Sequence, residues 1–246
     1  MNLNISRHKN EESIALFSMM SKLSHDVLDP VCTILNLGYL LRRDITSPSQ
    51  LLMVEEIEIA TDEIKDILSL WLDYSKFQCG DLNSYPEKFC INQLIDTLIN
   101  QYATIIKSKN IILAHVNKKN EFNIVLGEKV LIHKSLQNIL SLIIHISSQA
   151  SEVHLDIDTA DAGIHKTLKI KVQFQGTVED NHKLNQYFYE QTTDTPSLSA
   201  LKSHIELRLL LYNAYIKELN AHIDVCLVNE QVSHIIITYP LIKTLE

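Results

Sequence analysis

The stretch Ser24-His25-Asp26-Val27-Leu28-Asp29-Pro30 lies in the middle of a segment with the apolar periodicity of a helix, 11–43. Two sets of residues recur every seven positions: Met20, Val27, Ile34 and Leu41, and, at an offset of three, Leu23, Pro30 and Leu37. This spacing is typical of the heptad seam of a helix that packs against other helices. Because Pro30 has no N–H to donate to the helix ladder, we expect a local kink there.

A second, antiparallel helix is predicted after a short loop at 44–49. Ser47 is expected as its N-cap, with Pro48 at the first helical position and Gln50 completing a capping box. Its apolar residues step by alternating intervals of four and three: Met53, Ile57, Ala60, Ile64, Ile67, Trp71 and Tyr74. The first domain, 1–80, is therefore predicted to be a helical hairpin.

The outer face of the second helix carries an acidic run in which Lys65 is the only cation. Its members are Glu55, Glu56, Glu58, Asp62, Glu63 and Asp66. A run of this kind usually forms a solvated face, and the alternative is a surface that selects a docking partner.

Two amphipathic helices make a poor core on their own, and both seams of this hairpin are long and apolar. Pairing with a second copy into a four-helix bundle would cover them. We therefore expect the chain to form a homodimer.

The heptad register places His25 at the outermost position, f, when Met20 is assigned to position a. Lys22 and Asp29 then lie at c and Cys32 at f, so that they flank His25 on the solvent side. A single outward histidine is most often an ordinary surface residue. Here Asp26 follows it directly and Pro30 stands five positions on, which gives it a chemical context.

Phosphoryl transfer, the chemistry implied by the family resemblance described below, requires an in-line nucleophile and neutralisation of charge. An imidazole with its ordinary pKa of ~6.5 is largely neutral at cytosolic pH and can attack phosphorus. Asp26 could hold the other ring nitrogen as N–H and so orient the ring. We expect Lys22, Ser21, Asp29 and Cys32 to form the phosphate environment or the docking surface.

Composition excludes several other classes of function. The 246 residues carry a formal net charge of −8, which argues against a nucleic-acid binder. The four cysteines form no CxxC pair, so a reduced thiol set is expected and a zinc site is not. No apolar run approaches the ~20 residues that span a bilayer, and 1–10 is too polar for a signal peptide. We therefore expect a cytoplasmic protein without membrane or nucleic-acid partners.

A turn-rich stretch at 78–86 marks a boundary, and the second domain is predicted at 84–246. Helices are expected at 92–107, 128–148, 181–190 and 198–220, and strands at 87–90, 110–116, 122–126, 153–157, 168–174, 223–228 and 233–239. The charged residues of two of these strands, Asp156 and Asp158 on one and Lys169 and Lys171 on the other, could pair across the sheet. Helices over one face of a mixed sheet give a two-layer α/β sandwich, and the fold class is α+β.

This order of elements resembles the catalytic core of a sensor histidine kinase. The stretch 25–30 looks like the phosphoacceptor box of that family, with a histidine, an acid and a proline five positions on. The stretch 125–141 looks like the helix that carries its nucleotide-binding asparagines, and 207–241 looks like its final helix and terminal hairpin.

The departures from this pattern fall at the nucleotide site. Asn138 matches the first asparagine, but Leu142 stands where the second would hold magnesium and phosphates. The sequence at 175–180 replaces an Asp-x-Gly-x-Gly motif, and 197–204 replaces the second glycine loop. Glycines let backbone amides approach phosphates, and leucine offers no ligand to a hard cation. We therefore expect no cofactor on this chain and place magnesium on a receiver-domain partner.

An exposed phosphoacceptor hairpin joined to a degenerate kinase-like domain resembles the ChpT-type histidine phosphotransferases. The resemblance implies that His25 accepts phosphate from the receiver domain of an upstream hybrid histidine kinase and passes it to downstream response regulators. Asp29 stands where kinases that also dephosphorylate their partners usually carry Thr or Asn, which argues against phosphatase activity. The alternatives are a non-catalytic pseudokinase scaffold that binds response regulators, and a divergent active histidine kinase.

Overall fold

A computed structural model describes residues 2–79, 84–117, 124–162, 165–174, 204–228 and 231–242. The chain divides into two compact units, Met1–Asn83 and Ser84–Glu246, which we describe separately as the hairpin and the sheet unit. The helix predicted at 181–190, the start of the one predicted at 198–220, and most of the two glycine-loop replacements lie outside the described residues.

The hairpin consists of helix α1, Asn2–Asp44, and helix α2, Pro48–Gln78. Helix α1 continues through Pro30 and begins nine residues before the predicted start, since no glycine or proline precedes Pro30. Pro48 opens α2 as predicted, and Ser47 precedes it in extended conformation. The predicted capping box is wrong, because the Ser47 side chain makes no capping hydrogen bond and its Oγ lies 3.1 Å from Ser49 Oγ.

The buried face of each hairpin helix lies beside its predicted heptad seam. Ser24, Val31, Leu35 and Gly38 are buried on α1, and Val54, Glu58 and Thr61 are buried on α2. Several seam residues are instead exposed in the single chain, among them Leu23, Val27, Ile34, Leu37 and Leu41 on α1 and Met53, Ile57 and Ile64 on α2. The hairpin therefore has two apolar stripes, and only one of them is covered.

Glu58 corrects the prediction of a uniformly outward acidic face on α2. Its side chain is fully buried, and its Oε2 accepts a hydrogen bond of 2.8 Å from Nη1 of Arg42. Glu58 lies four positions after Val54 and three before Thr61, so helical geometry places it on the covered stripe.

The sheet unit contains a five-stranded mixed sheet and a two-stranded ribbon. The ribbon pairs β1, Glu87–Cys90, with β3, Ile124–Gly127, in antiparallel fashion. The five strands are β2, Ile112–Asn117; β4, Glu152–Ala162; β5, His165–Gln173; β6, His222–Val228; and β7, Gln231–Leu241. Their order is β2-β4-β5-β7-β6, and only β2 and β4 are parallel.

Alternation along the strands gives this sheet one apolar face and one polar face. The inward residues of β4 and β5, such as Val153, Leu155, Leu168 and Ile170, are fully buried. On the other face the register places Asp156 opposite Lys171 and Asp158 opposite Lys169, which confirms the predicted cross-strand arrangement.

The helices of the sheet unit supply the second layer. They are α3, Ile91–Gln101; α4, Ala103–Ser108; α5, Lys129–Ile146; and α6, His204–Glu218. The single helix predicted at 92–107 is wrong, because it breaks at Tyr102, whose hydroxyl donates to the Gln137 carbonyl at 3.3 Å. Helices α5 and α6 contact each other, and Ser135 Oγ of α5 lies 2.8 Å from Tyr239 Oη of β7. The predicted α+β class and the two-layer sandwich are confirmed.

Candidate functional site

The predicted phosphoacceptor, His25, belongs to the middle of α1. Its backbone is helical, as is that of Ser21, but the side chains of both residues lie outside the described part of the chain. Lys22, Asp29 and Cys32 stand three positions before, four after and seven after His25, so helical geometry places them on its side of α1. All three are exposed.

The helix backbone next to His25 lacks one hydrogen bond of the helical ladder. Helical N–H groups donate to the carbonyl four residues earlier, and Pro30 has none to donate to the carbonyl of Asp26. One turn further on, Thr33 Oγ1 donates to the Asp29 carbonyl at 2.9 Å. Asp26 itself is exposed, so both its carboxylate and its carbonyl stand at an accessible part of the helix.

The charges described around this position are mixed. Lys22 carries a positive charge, and Asp26 and Asp29 are acids, all on exposed positions of α1. A cation near an anionic phosphate would offset part of its charge, whereas carboxylates would repel it. The roles assigned to His25 and to these neighbours stay predictions, because they depend on a phosphorylated partner.

A large uncovered apolar surface accompanies this site on the hairpin. The most exposed seam residues are Met53 at 63%, Leu41 at 54%, Leu37 at 53% and Leu23 at 52%. Large continuous apolar surfaces are rare on monomers and usually mark an interaction site. The hairpin therefore presents two distinct surfaces, a polar one around the position of His25 and an apolar one along the seams.

Helix α5 carries the positions that would bind nucleotide and magnesium in a kinase. Asn138 is 4% exposed, and no described residue accepts a hydrogen bond from its Nδ2. Leu142, one turn further along, is 1% exposed. A buried apolar side chain at this point offers no oxygen or nitrogen to magnesium. The residues of α5 therefore do not fit a magnesium–nucleotide complex, and its absence from the chain stays a prediction.

The described residues were compared with the requirements of a metal site, a membrane-spanning helix and a disulfide. Within them, no group of three or more His, Cys, Asp or Glu side chains is arranged to hold a metal ion. None of the helices in the same ranges is both long and apolar enough to cross a membrane. The four cysteines all lie in the described ranges and form no disulfide there, and Cys32 and Cys79 are exposed.

Sequence reasoning missed the pair formed by Arg42 and Glu58, which ties α1 to α2. The available signal was the spacing of Val54, Glu58 and Thr61, a second stripe beside the seam. Because Glu58 stands among other acids, the charge pattern alone predicts an outward position for it.

Comparison with known proteins points to one class. The chain is 22% identical over 187 residues to the autoinducer 2 sensor kinase/phosphatase LuxQ of Vibrio parahaemolyticus, covering 75% of this chain and 22% of LuxQ. It is 22% identical over 206 residues to the sensor protein GacS of Pseudomonas syringae pv. syringae, covering 84% of this chain and 23% of GacS. The chain thus spans less than a quarter of these relatives. No family model matches it.

The fold agrees with this class. A crystal structure of full-length ShkA in complex with AMPPNP superposes with a TM-score of 0.59 at 13% identity, covering 92% of this chain and 46% of ShkA. In sequence and fold the chain is therefore histidine kinase-like. More particularly, it is similar in sequence to the sensor kinases LuxQ and GacS.

Proposed function

We propose that this chain is a histidine phosphotransferase of a bacterial phosphorelay, of the ChpT type, and that it works as a homodimer without binding ATP. His25 takes phosphate from a receiver-domain aspartate of an upstream hybrid histidine kinase and passes it to an aspartate of a downstream response regulator. The observation that supports this most directly is Leu142, buried at 1% exposure where a kinase would coordinate magnesium.

The transfer is a pair of displacements at phosphorus. A neutral ring nitrogen of His25 attacks the aspartyl phosphate, the P–N bond forms, and the aspartate carboxylate leaves with the electrons of the P–O bond. The second ring nitrogen keeps its proton, which Asp26 can hold by a hydrogen bond. The carboxylate of a second receiver then attacks the phosphohistidine, and the neutral imidazole is restored.

Dimerisation is supported by the uncovered seams of α1 and α2. An apolar surface that runs along both helices is complementary to a copy of itself under two-fold symmetry. Pairing of two hairpins would bury the seams in the centre of a four-helix bundle. The polar side of α1 that carries Lys22, Asp29 and Cys32 would remain open to a receiver domain.

The central experiment follows labelled phosphate. The purified chain is mixed with a receiver domain carrying a labelled aspartyl phosphate. Label on the chain is measured by gel autoradiography, and its loss on acid treatment identifies phosphohistidine. The expected result is label on the wild-type chain and none on His25→Ala. The matched control is His222→Ala, an exposed histidine of the sheet unit, which should accept label like the wild type.

The nucleotide prediction has its own measurement. A fluorescent ATP analogue with magnesium should show no saturable binding to the chain, and incubation with labelled ATP should leave it unlabelled. Micromolar binding together with labelling of His25 would replace the phosphotransferase by a divergent active histidine kinase.

A scaffold that binds response regulators without chemistry gives a different pattern. In that case the wild-type chain and His25→Ala would bind receivers equally well, and neither protein would acquire label. Transfer that persists in His25→Ala would overturn the assignment of this residue.

A further inference from the structure

The covered stripe between α1 and α2 contains one buried ion pair. Nη1 of Arg42 donates to Oε2 of Glu58 at 2.8 Å, and Nη2 of Arg42 donates to Glu55 Oε1. The Glu58 side chain is 0% exposed, whereas those of Arg42 and Glu55 are 33% and 30% exposed. The pair thus joins a fully buried carboxylate on α2 to a half-buried guanidinium on α1.

Glu58 fits into a space that a glycine provides. A Cβ added to Gly38 would lie 3.2 Å from Glu58 Cγ and 3.8 Å from its Oε1. No described residue hydrogen-bonds to that Oε1, so the carboxylate depends on Arg42 for the compensation of its charge. A residue larger than glycine at position 38 would take the space that Glu58 needs. Loss of Arg42 would leave the buried charge of Glu58 uncompensated.

The aliphatic contacts of the stripe do not by themselves select one axial alignment of the helices. Val31, Leu35 and Val54 are aliphatic, and apolar contact is non-directional. Sliding α2 along α1 by one turn, about 5.4 Å, would exchange such contacts for similar ones. The same slide would leave Glu58 without Arg42 and without the space at Gly38.

We propose that Gly38, Arg42 and Glu58 form a register lock, which selects one axial alignment of α1 and α2 out of several that the apolar stripe would allow. Buried polar pairs are known to select register and oligomeric state at little or no gain in stability. The lock is independent of the phosphotransfer proposed above, since it depends only on the packing of the hairpin.

The chain carries a natural reporter of this alignment at the other end of the hairpin. Phe17 of α1 packs edge-on against Tyr74 of α2, with ring centroids 5.6 Å apart, and Tyr74 lies 6.3 Å from Trp71. Phe17 is separated from Arg42 by roughly 37 Å of helix at 1.5 Å per residue. Trp71 is the only tryptophan, so its indole N–H gives one signal in a symmetric molecule of a single register.

The test replaces both partners by apolar residues. In Arg42→Met/Glu58→Met the buried charge is gone, so the variant should fold with a Tm within a few degrees of the wild type. Its indole N–H should give two or more signals, or one broadened by exchange, in a nitrogen–proton correlation spectrum. Arg42→Met alone strands Glu58 and should lower Tm by about 10 °C or more.

The matched control removes a different ion pair, one that lies entirely within α2. Lys65 donates to Asp62 within α2, and a pair inside one helix cannot align two helices. Asp62→Asn/Lys65→Met should therefore keep the single indole signal.

Two results would overturn the lock. One is a sharp single indole signal at the wild-type position in Arg42→Met/Glu58→Met. The other is a double variant no more stable than Arg42→Met, which would make the ion pair a determinant of stability and not of register.

Discussion

The hairpin and the sheet unit differ in where they keep their apolar side chains. In the sheet unit the inward residues of β4, β5 and β7 are almost entirely buried, as Ile157, Val172 and Ile237 illustrate at 0% exposure. In the hairpin, one stripe is covered, and most residues of the predicted heptad seam are open to solvent, although Tyr74 near the end of α2 is buried. The inward side chains of these strands are covered within the sheet unit itself, whereas much of the apolar surface of the hairpin is left uncovered.

This difference shows what the two sequence patterns mean. A strict period of two along a strand predicts that all its apolar side chains lie on one face, and that face is buried in the core. A heptad pattern on a helix that also carries a second stripe provides surface for two neighbours. The hairpin is thus suited to assembly with a second chain, and the sheet unit is suited to folding on its own.

The strongest test places charge on the open seam. We expect Ile34→Glu/Ile57→Glu to raise the dissociation constant of the proposed dimer at least about 1000-fold, since both side chains would be unpaired charges in the proposed bundle. Sedimentation equilibrium measures this. Leu52→Glu is the control, because Leu52 is 61% exposed but stands outside the seam. A double variant that stays dimeric would show that another surface holds the two copies together.

The opposite half of the comparison is tested in the core of the sheet unit. Leu136 on α5 is 0% exposed, so Leu136→Ala should lower the free energy of unfolding by about 2–5 kcal/mol. Urea denaturation measures the loss, and the sedimentation behaviour should remain that of the wild type. A change in oligomeric state would mean that the sheet unit also takes part in assembly.

High pH should act on the sheet unit through two tyrosines. Burial raises the pKa of Tyr212 and Tyr239 well above the ordinary value of 10. Above pH 10 the unfolded chain loses these protons while the folded chain keeps them. Stability is therefore full below pH 10 and falls as pH rises, by about 1.4 kcal/mol per pH unit for each tyrosine.

Urea titrations between pH 9 and pH 11, with tyrosinate absorbance at 295 nm, measure this slope. Tyr239→Phe should reduce the slope by about half, at the cost of the hydrogen bond with Ser135. An unchanged slope in that variant would assign the alkaline sensitivity to other groups.

The smallest effect is expected from the ion pair on the surface of α2. Lys65 and Asp62 are spaced i,i+3, and their side chains are 37% and 26% exposed. Lys65→Met should change the stability of the hairpin by only about 0.3 kcal/mol, and less at high salt. Thermal unfolding at low and high salt measures it, and a loss above about 1 kcal/mol would indicate that Lys65 has a further partner.

Most of the fold could be predicted from the sequence because its signals are local. The alternation at Val153, Leu155 and Ile157 identifies a strand with one buried face, and the same pattern at Leu168 and Ile170 gives its neighbour. The opposite charges on the outer faces of the two strands then indicate that the strands pair, and the structure places Asp156 opposite Lys171.

The remainder depends on distant contacts that a local pattern does not contain. The break at Tyr102 accompanies a hydrogen bond to Gln137, 35 positions away. The burial of Glu58 requires Arg42 and Gly38 on another helix.

For the candidate site, the sequence predicts the helix that carries His25 and the residues on its side. The chemical roles of His25 and Asp26 could not be predicted to the same degree. They are defined by a phosphorylated partner, which neither the chain nor its periodicity specifies.

The corner that joins α4 to β2 is closed by Lys109. Its Nζ donates to the carbonyls of Ile144 and His145 at the end of α5, and to that of Ser147 at 3.4 Å. A cation at this point also opposes the negative end of the helix dipole. Because the acceptors follow Lys109 by 35 positions or more, the contacts of its Nζ can form only once the end of α5 lies against this corner. We therefore expect Lys109 to be a late contact in folding, so that its replacement speeds unfolding while leaving the folding rate nearly unchanged.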